Sequence, residues 1–214
     1  MHIEILTEDS SGAALLELIV PMVLGGLGEH HTWRIHSYRG IGRLPKGLTA
    51  NSDPSKRVLL DQLPRILSGY GKTPGIDAVI VVVDTDIRDC KQMLAELTAA
   101  AVAAGRADTI FRLAIEEIEA WYLGDRAAVL QAYPRARKDV LDRYNQDTVC
   151  GTWELLADAV HPGGVNAVKA SGWPLPGQLN HEWAAKIGPE MKLTGNASPS
   201  FNKLVEALSR LAAA

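Results

Sequence analysis

The sequence predicts an α/β fold in which helices cover both faces of a mainly parallel sheet (a doubly wound sheet), with a C-terminal helical annex. The first observation is the apolar, β-branched run 78–83, which ends at Asp84 and is typical of a strand buried on both faces. The second is the alternation of strand and helix patterns through 1–125. The third is the short helical segments, divided by prolines and glycines, that follow Asp125. We therefore predict an α/β domain over 1–125 and a helical annex over 126–214 packed on it.

The individual elements follow from their patterns and from the residues at their ends. The polar residues 9–11 are favourable N-cap residues for the first helix. Pro21 is expected to bend that helix or end its regular part, and Pro64 to kink or split the second. Ser198 and Pro199 have the residue types of a cap and a first helical position, and they predict the start of the last helix. The predicted order is a strand over 2–7, a helix over 12–24, a strand over 32–38, a helix over 54–70, a strand from 76, a helix over 89–104, and a strand over 109–115 that runs directly into a helix from 116.

Composition indicates a globular protein with one basic segment. The 214 residues are 47% apolar and carry a net charge of −3. No stretch has the length and apolarity of a membrane span, and the first residues lack signal-peptide features, so we expect a cytoplasmic protein with no membrane partner. The region 34–57 has six basic residues against one acid, which favours a polyanionic partner, although a solvated loop fits nearly as well. The six are Arg34, Arg39, Arg43, Lys46, Lys56 and Arg57.

Acidic residues stand where predicted strands end. Glu8 follows the first strand, and Asp84 and Asp86 follow the third, with Thr85 between them. The carboxyl ends of parallel strands form the edge at which α/β sheets bind ligands. If the chain is extended through Asp86, both aspartates point to the same face, where a cation would relieve their repulsion. The three acids therefore predict a Mg²⁺ or Mn²⁺ site; the alternatives are helix capping by an aspartate and a helix-dipole role for Glu8.

These acids and several other segments resemble a known family. A glutamate that ends the first strand and an Asp-x-Asp that ends a later one resemble the TOPRIM domain of topoisomerases, primases and overcoming-lysogenization-defect nucleases. The resemblance implies a TOPRIM-like sheet, Mg²⁺-dependent cleavage of DNA or RNA and, in phage-defence systems, an ATPase partner. The chain departs from the TOPRIM pattern at Asp9, where a glycine commonly follows the glutamate, and the shape of this turn is therefore left open. More narrowly, four segments in both halves of the chain resemble a bacterial family of TOPRIM-like proteins of unassigned function: 5–12, 38–42, 119–125 and 198–201.

Further residues receive roles from this resemblance and from their chemistry. Glu119 matches the third family segment and is expected to support the metal, on a helix face that it shares with Glu116. An acid in the first turn of a helix is an equally good interpretation of Glu119. Arg39, Arg43 and Lys46, in the glycine-containing basic loop over 39–47, are expected to bind phosphates. No serine, tyrosine or histidine nucleophile is recognisable, so metal-activated water is the simpler mechanism.

The sequence therefore predicts a Mg²⁺-dependent phosphodiester hydrolase (a nuclease) whose catalytic acids are Glu8, Asp84, Asp86 and Glu119. The alternative is a non-catalytic metal-binding or protein-interaction module with the same fold. A small-molecule phosphohydrolase would also fit the acids, but it would leave the basic loop unexplained. The position of this loop distinguishes these hypotheses, because a loop beside the acids favours nucleic-acid chemistry and one at the opposite edge favours a separate docking role.

Overall fold

The computed structural model of the protein describes residues 1–44, 58–148 and 150–214. Within these ranges the chain forms four strands and a series of helices that surround them. In chain order the elements are β1 (His2–Thr7), α1 (Ser10–Leu24), β2 (Thr32–Ser37), α2 (Leu59–Tyr70), β3 (Ala78–Asp84), α3 (Cys90–Ala103), β4 (Ile110–Ala114), α4 (Glu119–Gly124), α5 (Arg126–Ala132), α6 (Lys138–Asp142), α7 (Thr152–Val160), α8 (Gly164–Ser171), α9 (Leu175–Ile187), a 3₁₀ helix (Gly188–Glu190) and α10 (Pro199–Ala212).

The four strands form one open, all-parallel sheet in the order β2-β1-β3-β4. The chain moves outward from β1 to β2, returns across β1 to β3, and then continues to β4. The strand order therefore reverses between β1 and β3, and in open parallel sheets the ligand crevice lies at the carboxyl ends of the strands at such a switch point. Thr7 is paired with Val82, and Asp84 is paired with Ala114. This register brings the ends of β1, β3 and β4 to the same edge.

Helices cover both faces of the sheet, which confirms the α/β layout with a parallel sheet. Along β3 the side chains alternate between two separate hydrophobic clusters. Ile80 and Val82 lie in the cluster that includes α1, α10 and the helices after 125. Val81 and Val83 lie in the cluster formed with α2 and α3. Burying one such side chain stabilises the folded state by about 1.5–3 kcal/mol. The burial of β3 on both faces, as predicted, therefore contributes much of the free energy that holds the sheet between its helices.

The helices after 125 share a hydrophobic core with the sheet. Trp121 and Phe201 are both fully buried there, and their rings meet edge to face with centroids 5.8 Å apart. The Trp121 indole N–H donates to Ser200 Oγ at 2.8 Å, and Ser198 caps α10 by accepting from the Phe201 N–H. Two of the segments that carry the family resemblance, 119–125 and 198–201, are therefore in direct contact and have a shared packing role.

Two prolines lie inside helices that continue past them. α1 extends three residues beyond Pro21, and α2 extends from Leu59 through Pro64 to Tyr70. Each proline removes one intrahelical hydrogen bond. Burial of leucines at 59, 63 and 67 along the face of α2 offsets that loss. The predicted beginning of this helix at 54 lies outside the described residues. Across the described part of the chain, no helix has both the length and the apolar character needed to cross a membrane.

Candidate active site

Acidic side chains from three neighbouring strands lie at the carboxyl edge of the sheet. We call Glu8, Asp84, Asp86 and Glu119 the carboxyl-edge acids. Glu8 follows β1, Asp84 is the last residue of β3, and Glu119 begins α4 after β4. Glu119 is only 6% exposed. Glu8 and Asp84 therefore stand on either side of the switch point, where the topology favours a ligand.

Several buried oxygen atoms at this edge have no hydrogen-bond partner among the described residues. They are Oε2 of Glu8, Oδ1 of Asp84 and the hydroxyl of Thr7. Leaving a buried polar atom unsatisfied costs about 1–3 kcal/mol, and more when the group is charged. Unpartnered carboxylate oxygens at a predicted ligand edge are therefore an unfavourable arrangement that a bound cation or a proton would relieve.

The pKa values of these acids are raised because the groups are buried together. Burial is the main cause of the raised pKa of Asp84, followed by the charges of Glu8 and Glu119. Burial, followed by the charge of Asp86, raises the pKa of Glu8 to about 7. Burial, followed by the charge of Glu117, raises the pKa of Glu119 to about 8. The acids thus lie close enough to oppose one another's ionisation, which is a frequent property of functional sites.

Asp86 reaches this edge through a turn and not through an extended strand. β3 ends at Asp84, and Asp86 has a positive φ of 48°. The condition under which both aspartates would share one face of a strand is therefore not met. The Asp86 N–H donates to the carbonyl of Glu116 at 2.9 Å, and its carboxylate lies 3.4 Å from the guanidinium of Arg88. Asp86 is exposed, yet its charge acts on Glu8, so it lies at the rim of the site.

Asp9, whose turn was left open by the sequence, caps α1. One of its carboxylate oxygens accepts from the Gly12 N–H at 2.7 Å, and the other accepts from the Ser11 hydroxyl at 2.6 Å. Gly12 itself has no room for a side chain, because a Cβ there would lie 2.8 Å from Thr7 Oγ1. Both Asp9 oxygens are therefore engaged in beginning the helix, and the turn after Glu8 is closely packed.

The described part of the basic loop lies beside the acids. The Tyr38 N–H donates to the carbonyl of Thr7 at 3.1 Å, and the Gly40 N–H donates to the carbonyl of Glu8 at 3.0 Å. The side chains of Arg39 and Arg43 are exposed. Lys46 lies outside the described residues. The loop therefore crosses the carboxyl end of β1, which is the position that favours nucleic-acid chemistry over a separate docking role.

A groove of about 470 Å³ connects this loop to the rim of the site. Arg43, Asp86 and Arg88 all line it. Arg88 was not predicted as a site residue, although its position two residues after Asp86 was a signal in the sequence. Two guanidinium groups next to the acids form a suitable surface for a phosphate, because arginine can bind phosphate through two parallel hydrogen bonds.

Glu116 and Glu119 do not share a helix face, so that prediction was wrong. Glu116 has a positive φ of 64° and precedes α4, which begins at Glu119. Its carboxylate accepts from the backbone N–H groups of Gly151 and Thr152, and Glu117 accepts from the Trp153 N–H at 3.0 Å. Because acids are favourable at a helix N-terminus, this pair attaches the beginning of α7 to the edge that carries the acids.

The structure also brings a histidine to this edge. His181 on α9 lies 2.9 Å from the hydroxyl of Ser10, the first residue of α1. The two residues are 171 positions apart in the sequence. No local pattern could have indicated this contact, which depends on how α9 packs against α1.

The residues at the edge have the donor chemistry of a magnesium or manganese site. Carboxylate oxygens are the ligands that these ions prefer, and Mg²⁺ commonly keeps several waters beside one or two carboxylates. Glu8 and Asp84 provide two unpartnered carboxylate oxygens of this kind. Within the described ranges, no three Asp, Glu, His or Cys side chains are grouped so that they could hold a metal ion. The fit therefore rests on two ligands, with Asp86 at the rim.

A parallel sheet with acids at its switch point is found with many different functions. The function of this chain must therefore be argued from the side chains at the edge. Comparisons of the chain with protein-family models, with curated proteins and with solved structures found no match.

Proposed function

We propose that the protein is a Mg²⁺- or Mn²⁺-dependent phosphodiester hydrolase that acts on nucleic acid and has a TOPRIM-like fold. The observation that carries this proposal is the pair of buried, unpartnered carboxylate oxygens of Glu8 and Asp84 at the switch point of the sheet. The basic loop supports it, since the loop lies beside Glu8 and exposes Arg39 and Arg43. Acids with raised pKa values next to guanidinium groups suit the binding of a cation and a phosphate together.

Each group has a role in this proposal. Glu8 and Asp84 hold the metal, and Asp86 adds negative charge at the rim. A bound divalent ion supplies polarisation of a phosphoryl oxygen and a lower pKa for water. Glu119 is buried, and its charge acts on Asp84, so Glu119 adds to the negative potential that attracts the cation when it is ionised.

Arginines next to the acids position the substrate. Arg39 and Arg43 bind the phosphates of the nucleic acid backbone, with Lys46 in the same loop, and Arg88 lines the same groove as Arg43. Contacts of this kind orient a nucleic acid without reading its sequence. The ATPase partner and the place in phage defence that the resemblance implies belong to this proposal as well.

A non-catalytic module is the second candidate, and one observation favours it. The raised pKa values of Glu8 and Glu119, about 7 and about 8, allow protons to neutralise these acids near neutral pH. In that case the carboxyl-edge acids share protons and hold no metal, and the basic loop binds a partner without hydrolysis.

An assay with labelled substrates tests the two candidates. The purified protein is incubated with single-stranded and double-stranded DNA and RNA, with Mg²⁺, with Mn²⁺ or with a chelator. We expect cleavage that requires the metal and is lost in Glu8→Gln and in Asp84→Asn. Glu17→Gln is the matched control, because Glu17 is an exposed acid on α1 and this substitution should leave cleavage unchanged. If no nucleic acid on the panel is cut by the parent with either metal, the hydrolase proposal is rejected and the module is favoured.

A further inference from the structure

The helical annex contains a cavity that is separate from the carboxyl-edge acids. It lies between the segment that joins α5 to α6, the segment that joins α7 to α8, and one side of α9. Its volume is about 520 Å³, which falls in the range of roughly 300–1,000 Å³ that is usual for small-molecule sites. None of the carboxyl-edge acids or the basic-loop arginines lines it. It therefore requires an explanation of its own.

One side of this cavity is an apolar wall. It is lined by Leu175, Leu179 and Trp183 of α9 and by Val160 at the end of α7. Trp183 has no exposed surface, and its ring packs against that of Trp153 with centroids 5.9 Å apart. Because Trp183 is fully covered, the partly exposed Leu175 and Val160 form the apolar surface that the cavity offers to a ligand.

Among the described residues, one acid lines the cavity, and its carboxylate is already engaged. Glu182 accepts from the Tyr133 hydroxyl at 3.0 Å and from the Lys186 ammonium at 2.8 Å. The hydrogen bond from Lys186 is the main cause that lowers the pKa of Glu182, and the charge of His161 also contributes. Lys186 also lies over the Tyr133 ring, 5.3 Å from its centroid. The carboxylate is thus held in place and largely compensated.

The remaining charge around the cavity is positive. Arg135 lines it and is exposed, and it forms no ion pair with any of the described residues. Lys186 balances Glu182, so the charge of Arg135 is left over. A guanidinium beside an apolar wall matches a ligand that has an anionic group attached to an apolar body.

We propose that this annex cavity binds a small organic anion of that class, with its apolar body against α9 and its anionic group at Arg135. The site is independent of the proposed hydrolase activity, because it shares no residue with the carboxyl edge. It gives the annex a ligand-binding function in addition to its packing role.

Fluorescence titration with anilinonaphthalene sulfonate, a flat apolar anion, tests this site in the full chain. We expect saturable binding of one probe per folded chain. Naphthoate should displace the probe, whereas naphthalenemethanol, which has the same ring system without the charge, should displace it at least about tenfold less well. Arg135→Glu should weaken probe binding by at least about tenfold.

Lys138→Glu is the matched control, because Lys138 is exposed, lies outside the cavity and carries the same charge. It should leave the affinity within about twofold of the parent at physiological ionic strength, where screening limits distant charges. The proposal is overturned if the folded parent binds no probe saturably. It is also overturned if naphthalenemethanol competes as well as naphthoate, or if the two charge reversals have equal effects. Cooperative unfolding of each variant, followed by circular dichroism, shows that the comparison is made between folded proteins.

Discussion

Two glutamates, one within β1 and one directly after it, lie in opposite environments: the first has a partner at each carboxylate oxygen, and among the described residues the second does not. Glu4, in the middle of β1, is 5% exposed and has partners at both oxygens: His36 Nε2 lies 2.6 Å from one, and His2 Nε2 lies 3.2 Å from the other. Tyr70 is beside it, and after burial the charge of Glu4 is the main cause that raises the tyrosine's pKa. Glu8, at the end of the strand, has an unpartnered oxygen and three other acids as electrostatic neighbours.

The contrast indicates which buried acid is structural and which is poised for a ligand. A buried carboxylate with hydrogen-bond donors on both oxygens is satisfied within the fold. One that faces other carboxylates opposes folding until a cation or a proton arrives. The Glu4 cluster, meaning Glu4 with His2, His36 and Tyr70, should therefore contribute stability, and the carboxyl-edge acids should contribute function at the expense of stability. The predictions below test the function expected of the carboxyl edge and the stability expected of the Glu4 cluster.

The largest expected difference is in catalysis. Asp84→Asn should lower metal-dependent hydrolysis on the order of a thousandfold, equivalent to about 4 kcal/mol of transition-state stabilisation, because it removes a charged ligand at the reacting phosphate. Glu4→Gln makes the same chemical change at a buried position away from the edge and should keep most of the activity. Initial rates with a saturating labelled oligonucleotide measure both. Equal losses would mean that general destabilisation, and not the edge site, controls the rate.

The next largest difference concerns stability against pH without metal. The pKa of Glu119 is raised from 4.5 to about 8, so between these values the folded state keeps a proton that the unfolded state has released. The free energy of unfolding should therefore fall as pH rises through this window and level off above it. Glu8, with its pKa raised from 4.5 to about 7, acts in the same direction.

Glu119→Gln removes one of these titrating groups and provides the measurement. Relative to the parent, this variant should gain on the order of 3 kcal/mol in unfolding free energy between about pH 5 and about pH 9. Urea denaturation in the presence of a chelator gives the values, and Glu17→Gln, at an exposed position of α1, should show no such gain. If the free energy of unfolding of Glu119→Gln and that of the parent change with pH in parallel, the raised pKa of Glu119 is contradicted.

A smaller difference, and one of opposite sign, is expected between Glu4→Gln and Asp84→Asn in metal-free stability. Glu4→Gln should lower the free energy of unfolding by about 2 kcal/mol, since it weakens hydrogen bonds to a charged group. Asp84→Asn should raise it or leave it unchanged at about pH 8, because it removes a charge that faces other acids. Urea denaturation of the two variants decides the sign. Destabilisation of both by the same amount would show that the edge is as well satisfied as the Glu4 cluster.

Much of the fold was predictable because its signals are local. The run 78–83 has the alternation-free pattern of a strand buried on both faces, and β3 lies at Ala78–Asp84. Caps are equally local: Asp125 accepts from the Ala128 N–H, three residues further along, at 3.1 Å at the beginning of α5. The placement of Glu8 and Asp84 at one edge also followed from sequence, because parallel strands end together.

The remaining features depend on tertiary contacts that no local pattern encodes. Asp86 leaves the strand because its N–H and the Thr85 hydroxyl pair with Glu116 from the segment after β4. Glu116 stays out of α4 because its carboxylate binds the N-terminus of α7, about 35 residues further along the chain. The contact of His181 with Ser10 joins opposite ends of the chain. All three are long-range contacts, and the first two override an extended or helical preference of the local sequence.

The smallest expected effect concerns the basic loop, whose arginines provide affinity and not chemistry. Arg39 and Arg43 are exposed beside Glu8, so Arg39→Ala with Arg43→Ala should weaken nucleic acid binding roughly equally for all sequences. It should also reduce the slope of log affinity against log salt by about one unit for each lost phosphate contact.

Arg65→Ala with Lys72→Ala is the matched control, because it removes two exposed cations from α2 and the turn before β3. This control should keep the parent's slope, since the turn lies at the opposite edge of the sheet. Salt titrations of the three proteins on one labelled oligonucleotide give the slopes. If the loop variant and the control keep the same slope as the parent, the arginines bind no phosphate, and the proposed nucleic-acid surface beside the carboxyl-edge acids is contradicted.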